Sequence, residues 1–351
     1  MTTGQTALVA ATGVVSWGGT WVVRRYALAH DLVDVPNARS SHVHTTPRGG
    51  GLAIAAAVIA ALAVAGSLDW IPSRAAIALV AGGTIVALVG FIDDHGGVRP
   101  HLRLAVHFAA ALGALWFLGG YPAIGLGATE LHLGAVGILV AAVGIVWCTN
   151  FFNFMDGIDG IAAAQAVVTG LAGAWLLTPT SRGLGFGSGI VAVAAAGFLV
   201  WNWPPARIFM GDVGSGVLGF FFATLAVASE NAGGPPVAAW GLLLGVFVFD
   251  ATITLIRRRL RGQSLAVAHR LHAYQRAVQF GFSHRAVTST VLGLDLVLVL
   301  LAWAGVTHPP LLLWTIGVGL VILSVCYWLI ERRAPMPPMN TPGSPIEGGR
   351  R

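Results

Sequence analysis

Long apolar runs separated by short polar gaps repeat along the whole chain, and each run is near the length needed to cross a bilayer. Eleven such runs are read at residues 5–26, 51–68, 75–92, 104–120, 134–152, 161–178, 187–203, 214–230, 236–256, 286–305 and 311–330. A helix of roughly 17–25 apolar residues fits a hydrocarbon core about 30 Å thick, so every run predicts a transmembrane helix. The fold class expected is therefore all-α, a polytopic bundle of about eleven spans forming one integral membrane domain over 1–331. Residues 332–351, with five prolines between 335 and 345, predict a disordered tail. The N-terminus has no basic start of the kind a signal peptide carries, so the first run is expected to stay as an anchor.

Composition sharpens that picture. Of the 351 residues, 56% are hydrophobic and only 10% charged, against about 25% charged in an ordinary soluble domain. All the basic residues are arginines, and they sit in the gaps between runs with no basic stripe interleaved with aromatics, which excludes a nucleic-acid partner. With the N-terminus outside, every arginine except Arg74 and Arg182 falls in an inside loop. The positive-inside rule then fixes the C-terminus as cytoplasmic. Cys148 and Cys326 lie inside apolar runs and read as reduced core residues.

The polar residues that remain are concentrated where runs end. Asn150, Asn153, Asp156 and Asp159 recur every third residue in NFFNFMDGIDG, a spacing that would line them along one helical face. Asp93 and Asp94 close the third run, and Asp212 follows the apolar stretch of FMGDVGS. The orientation above brings all five acids to the cytoplasmic end. Uncompensated acids at membrane helix ends are uncommon. Carboxylate and amide oxygens in this number suit a hard cation such as Mg²⁺, with room for substrate phosphate oxygens. The glycines around Asp156 and Asp212 allow a ligand close to the backbone.

Two polar loops share that side. The first, DVPNARSSHVHTTPRGGG, offers Arg39, His42 and Arg48 as anion contacts on a framework of Pro and Gly. The second begins RRRLRG and continues AHRLHAYQ, where His269, Arg270 and His272 read as phosphate ligands rather than a zinc site, since no Cys or acid sits at ligand spacing. The arginines 257–261 also fit a topology anchor or a lipid-headgroup patch. Asp250 is expected to pair with that run, and Asp295, inside an apolar span, has no assigned role.

Taken together, these motifs resemble those of the polyprenyl-phosphate N-acetylhexosamine-1-phosphate transferases, the membrane family that includes phospho-N-acetylmuramoyl-pentapeptide transferase. The similarity runs from about Pro36 to Gln275. It implies transfer of a sugar 1-phosphate from a UDP-N-acetylhexosamine to undecaprenyl phosphate, with release of UMP. Mg²⁺, with Mn²⁺ as a substitute, would serve at the cytoplasmic face of a bacterial inner membrane.

By position, Asp93 and Asp94 match the family's paired acids, the first as a base toward the lipid phosphate and the second also as a metal ligand. Asn150, Asn153, Asp156 and Asp159 match its second motif. Asp212 matches a metal ligand, and Phe209 an aromatic that stacks on uracil. His269, Arg270 and His272 stand where the family usually has contiguous histidines, a departure that points to the O-antigen branch of lipopolysaccharide and cell-wall biogenesis. The resemblance leaves room for a homodimer in the lipid bilayer. Direct attack on the sugar-linked phosphorus is the mechanism expected, with an aspartyl-phosphate route as its rival. A cation- or proton-coupled transporter is the alternative function, and it would place acids near the midplane. A CDP-alcohol phosphotransferase would require a spaced Asp pattern this chain lacks.

Overall fold

One helix is buried on every side: in α8 (Asp212–Asn231) each residue from Val213 to Ser229 is buried. A helix apolar all round belongs at the centre of a bundle, and the others pack around it. In this computed structural model, which describes residues 1–34, 45–264 and 269–337, the neighbours of α8 include α2 (Gly51–Ser67), α3 (Ser73–Gly96), α4 (Pro100–Leu118), α5 (Val136–Phe154) and α7 (Arg182–Asn202). The fully buried rings of Phe220, Phe221 and Phe222 fill the space between them. Close approach depends on small residues, as it does between helices in lipid. A Cβ on Gly90 would meet the Val213 backbone at 2.9 Å, which sets how near α3 can lie to α8.

The periphery has the opposite character. α1 (Thr3–Ala29) buries Thr12, Ser16, Thr20 and Ala27 and exposes Val14, Val15, Trp17 and Trp21. Its small stripe faces α7, where the Ser16 hydroxyl donates to the Ala194 carbonyl at 2.6 Å. α13 (Leu312–Arg333) likewise exposes Trp314, Val321 and Trp328. Apolar side chains turned outward on long helices suit a hydrocarbon solvent.

Each expected run falls on helix. Among the described residues, eight helices are long and apolar enough to cross a membrane, or nine if one bent pair is a single span, while α2 and α6 (Ile161–Leu177) are shorter apolar helices. That bent pair is the run read as 236–256, and it is not one helix. α9 (Val237–Leu243) and α10 (Gly245–Leu260) meet at 87°. Breaking a span frees backbone groups that lipid cannot satisfy. Here the Leu243 carbonyl accepts from Gln165 Nε2 and Thr169 Oγ1 on α6, each at 3.0 Å.

The second polar loop also contains more order than its sequence indicates. It forms α11 (Ala273–Gln279) ahead of α12 (His284–Thr307). Two short antiparallel hairpins were not anticipated: β1 (Val33–Asp34) with β2 (Thr46–Pro47), and β3 (Ala123–Gly125) with β4 (Glu130–His132). Cys148 and Cys326 are both free thiols. The last helix runs to Arg333, two residues into the stretch read as tail. Arg257 of α10 and Arg276 of α11 both pair with Glu331, at 2.6 and 2.7 Å, and Met336 is buried. The rest of the tail lies outside the described residues.

Candidate active site

Alternating helices bring the C-terminal ends of α3 and α5 and the N-terminal ends of α2, α4 and α8 to one face of the bundle. The loop before α8 is stitched to the start of α2 by three backbone bonds: Phe209 N to Pro47 O at 2.8 Å, Gly50 N to Phe209 O at 2.9 Å and Gly51 N to Met210 O at 2.8 Å. This register fixes Asp212 at the first residue of α8. Gly211 just before it has φ +78°, and a Cβ there would stand 2.8 Å from Asp94 Oδ2, so the close approach requires glycine.

Asp94 uses that proximity. Its two carboxylate oxygens accept the backbone N–H groups of Asp212 and Val213 at 3.1 and 3.3 Å. It caps the first turn of α8, where free N–H groups favour an anion. Arg48 donates to the Asp94 carbonyl, which draws the end of the first polar loop into the cluster. Asp93 accepts from Val98 N at 2.6 Å and from Arg103 Nη1, and the same Arg103 nitrogen lies 3.0 Å from Asp212 Oδ2. One guanidinium therefore bridges acids from two helices.

The expectation of four polar residues on a single helical face holds only in part. α5 ends at Phe154 with Met155 as its cap, so Asn150 and Asn153 share a face while Asp156 and Asp159 lie in the turn before α6. The physical cause is the glycine pair: Gly160 has φ +78°, and Gly157 sits so tightly against the Tyr274 hydroxyl that no side chain would fit. Asn153 Nδ2 donates to Ser215 Oγ at 3.2 Å, and Asn150 Nδ2 to the Val146 carbonyl at 2.7 Å, leaving both amide oxygens available. Asp159 is held away from this group: Oδ2 accepts from Ala206 N at 3.0 Å, and Oδ1 is 3.2 Å from His284 Nδ1. The Asp156 carboxylate has no hydrogen bond or ion pair among the described residues. Burial pushes its pKa well above the ordinary carboxylate range, and the nearby charges of Asp212, Asp94 and Asp159 push it further.

A cavity of about 10 Å³ opens at the centre, lined in part by Arg103, His107, Thr149, Asn150, Asn153 and Asp212. The donor set suits a hard cation in kind: Asp212 lines the cavity with the amides of Asn150 and Asn153, and the acids outnumber the arginines beside them. Among the described residues, however, no three His, Cys, Asp or Glu side chains are already gathered as a metal shell. The acids of this site would need the amide oxygens or substrate oxygens to complete one.

The histidine loop reaches the same region from α11. The His272 ring stacks at 6.4 Å on Phe154, two residues before Asp156, and the Tyr274 hydroxyl donates to the Phe154 carbonyl at 2.9 Å. His269 lies beside His272 with ring centroids 4.9 Å apart. Burial and the neighbouring His272 and Arg258 charges hold the His269 pKa down to about 3, so it acts as a neutral imidazole. Asp250 does not pair with the arginine run as expected. Its carboxylate accepts from Ala273 N, Tyr274 N and Thr254 Oγ1 and anchors the start of α11. Arg257 and Arg258 turn inward, Arg258 to Gln263 and the Ser264 carbonyl, so this part of the run is not a lipid-headgroup patch. The Arg270 carbonyl accepts from Gln279, and Phe209 is half-buried on the loop before Asp212. Arg39 and His42 lie outside the described residues. A second, larger cavity of about 420 Å³ is apolar and sits between α10, α11, α12 and α13, with Tyr274 in its wall.

Sequence reasoning used Arg103 only to fix topology and passed over His107, Tyr274 and His284. Arg103 and His107 carried a signal: an i, i+4 pair on the first turns of the helix that follows the paired acids.

The chain is similar to proteins of known class. Residues 76–230 match the model of glycosyl transferase family 4. Over 338 residues the chain is 30% identical to a decaprenyl-phosphate N-acetylglucosaminephosphotransferase of Mycobacterium tuberculosis, covering 86% of this chain and 80% of the relative. The chain belongs to glycosyl transferase family 4. A probable undecaprenyl-phosphate N-acetylglucosaminyl 1-phosphate transferase of Bacillus subtilis is 29% identical over 274 residues, 76% of this chain and 75% of that one. A phospho-N-acetylmuramoyl-pentapeptide-transferase of Trichormus variabilis is 31% identical over 233 residues, 62% of this chain and 60% of its own. This family member is thus a helical membrane protein of a bacterial transferase family, and the coupled-transporter alternative finds no support.

Proposed function

We propose that this protein transfers an N-acetylhexosamine 1-phosphate from a UDP-sugar to undecaprenyl phosphate or a similar polyprenyl phosphate, at the cytoplasmic face of the inner membrane. The observation that carries this reading is the meeting of Asp93, Asp94, Asp156 and Asp212, from three separate parts of the chain, with Arg48 and Arg103 at one end of the bundle. The relatives' names supply the polyprenyl phosphate and make N-acetylglucosamine the first sugar to test.

In the reaction, a lipid phosphate oxygen attacks the sugar-linked phosphorus, the bond to the second phosphate breaks, and UMP leaves with that electron pair. A phosphate oxygen is already an adequate nucleophile, so the protein's task is alignment and charge compensation. Asp212 and Asp156, with the amide oxygens of Asn150 and Asn153, would hold Mg²⁺, which neutralises charge on the diphosphate when bound. Asp94 keeps Asp212 aimed by capping its helix. Arg103 and Arg48 draw phosphate oxygens into the site, and Asp93 takes the proton of a lipid phosphate that arrives protonated. His269, a neutral imidazole, and His272 beside it would contact phosphate by hydrogen bonding. The apolar cavity beside Tyr274 suits the hydrocarbon chain, because its wall continues to the residues that flank Asp156.

The test is to offer the purified protein undecaprenyl phosphate with a panel of UDP-N-acetylhexosamines and follow UMP. Release that requires both substrates and a divalent ion is expected; release of a product other than UMP, or turnover of none of the panel, would refute the reading.

A further inference from the structure

His107, on α4 one turn after Arg103, is the titratable residue lining the central cavity to which neither the motifs nor the proposed reaction gives a task. It is 6% exposed, and among the described residues neither ring nitrogen has a hydrogen-bond partner; Nδ1 is fully shut off from solvent. A buried N–H without an acceptor is rarer and costlier than a bare ring nitrogen, so the neutral ring carries its proton on Nε2. The residue lines the cavity together with Arg103, Asn150, Asn153 and Asp212. That cavity, at about 10 Å³, accommodates one water-sized group. A single anionic oxygen would meet a guanidinium from Arg103 and a neutral donor from His107, four residues apart on one helical face.

We propose that His107 is a substrate-contacting residue that donates Nε2–H to a phosphate oxygen. The inference rests on the proposed transfer reaction and adds a donor to it. Two phosphate-bearing substrates take part in that reaction, the nucleotide diphosphate sugar and the lipid monophosphate, and either could present the oxygen.

The experiment compares wild-type full-length protein with His107→Leu and His107→Gln in the same detergent. Loss of a hydrogen bond to a charged group predicts a roughly ten- to hundredfold fall in kcat/KM for the leucine variant, with a rise in KM for the phosphate substrate it contacts. Glutamine, which keeps a donor of similar reach, is expected to restore most of it. A KM change confined to the UDP-sugar identifies the diphosphate; one confined to the polyprenyl phosphate identifies the lipid. Wild-type kinetics in His107→Leu toward both substrates would overturn the proposal. The ¹⁵N resonance of His107 Nε2, assigned by its loss in the glutamine variant, gives an independent readout on wild-type protein. It should move when UDP-N-acetylglucosamine or undecaprenyl phosphate is added, and a resonance unmoved by saturating amounts of both would refute the contact even if the leucine variant fails to fold. Failure of the reaction itself shows differently, as wild-type protein that releases no UMP.

Discussion

The two ends of α8 each carry an acid, about 27 Å apart along the helix, and their surroundings are opposite. At the C-terminal end, Glu230 accepts from the Tyr121 hydroxyl at 2.6 Å, from Val237 N at 3.0 Å and from Gly125 N. Its oxygens are fully used in joining α8 to β3 and the start of α9. At the N-terminal end, Asp212 shares one guanidinium with Asp93, while Asp156 nearby has no partner among the described residues. An acid whose donors are all supplied by the protein holds structure together. An acid cluster short of donors is built to receive something else.

Substitutions can break this contrast. The largest effect is expected from Asp212→Asn, which should lower kcat/KM for UMP release by at least about a hundredfold while leaving the thermal unfolding midpoint close to wild type. Gly211→Ala comes next. A left-handed backbone costs an L-residue about 1–2 kcal/mol, and the new methyl would press on Asp94. Roughly tenfold lower activity with a lowered midpoint is expected, and activity at the wild-type level would show that the Asp94 cap can yield.

The opposite end should respond the other way round. Glu230→Ala leaves three donors without their acceptor and is expected to cost about 1–3 kcal/mol of stability, with activity per folded molecule unchanged; a variant as stable as wild type but inactive would reverse the comparison. The smallest effect concerns protons. Because the Asp156 pKa is raised, its protonated form stabilises the ion-free protein. That contribution is complete below the ordinary carboxylate range and is lost as pH rises through the raised value. Divalent-ion binding at pH values inside this window should therefore release a proton and tighten as pH increases. Calorimetry in two buffers of different ionisation enthalpy would detect the release, and equal heats would remove Asp156 from the ion's surroundings.

The helices were legible because runs of apolar residues this long have one stable form in lipid, and every run landed on helix. The clustering of Asp93, Asp94, Asp156 and Asp212 was legible too, since each follows an apolar run at the same end. What the sequence withheld was tertiary. Nothing local tells that Arg103 reaches across to Asp212, that Asp250 caps α11 rather than pairing with arginine, or that Leu244 breaks a span whose freed carbonyl Gln165 then satisfies. The spacing of three misplaced Asp156 and Asp159 because helical periodicity was extended past two glycines. Asp295, buried in α12 with neither carboxylate oxygen bonded among the described residues, keeps no role in the site.

The clamp on Glu331 bears on how the chain can be trimmed. Arg257 and Arg276 flank the loop that carries the histidines, and both lean on this one carboxylate, while Arg261 reaches the carbonyls of Met336 and Pro337. A version shortened just before residue 331 to shed the proline-rich end would retain nearly all its greasy surface and yet strand two guanidinium groups beside the histidine loop. Any shortening or purification tag should leave Glu331 and the carbonyls of Met336 and Pro337 in place.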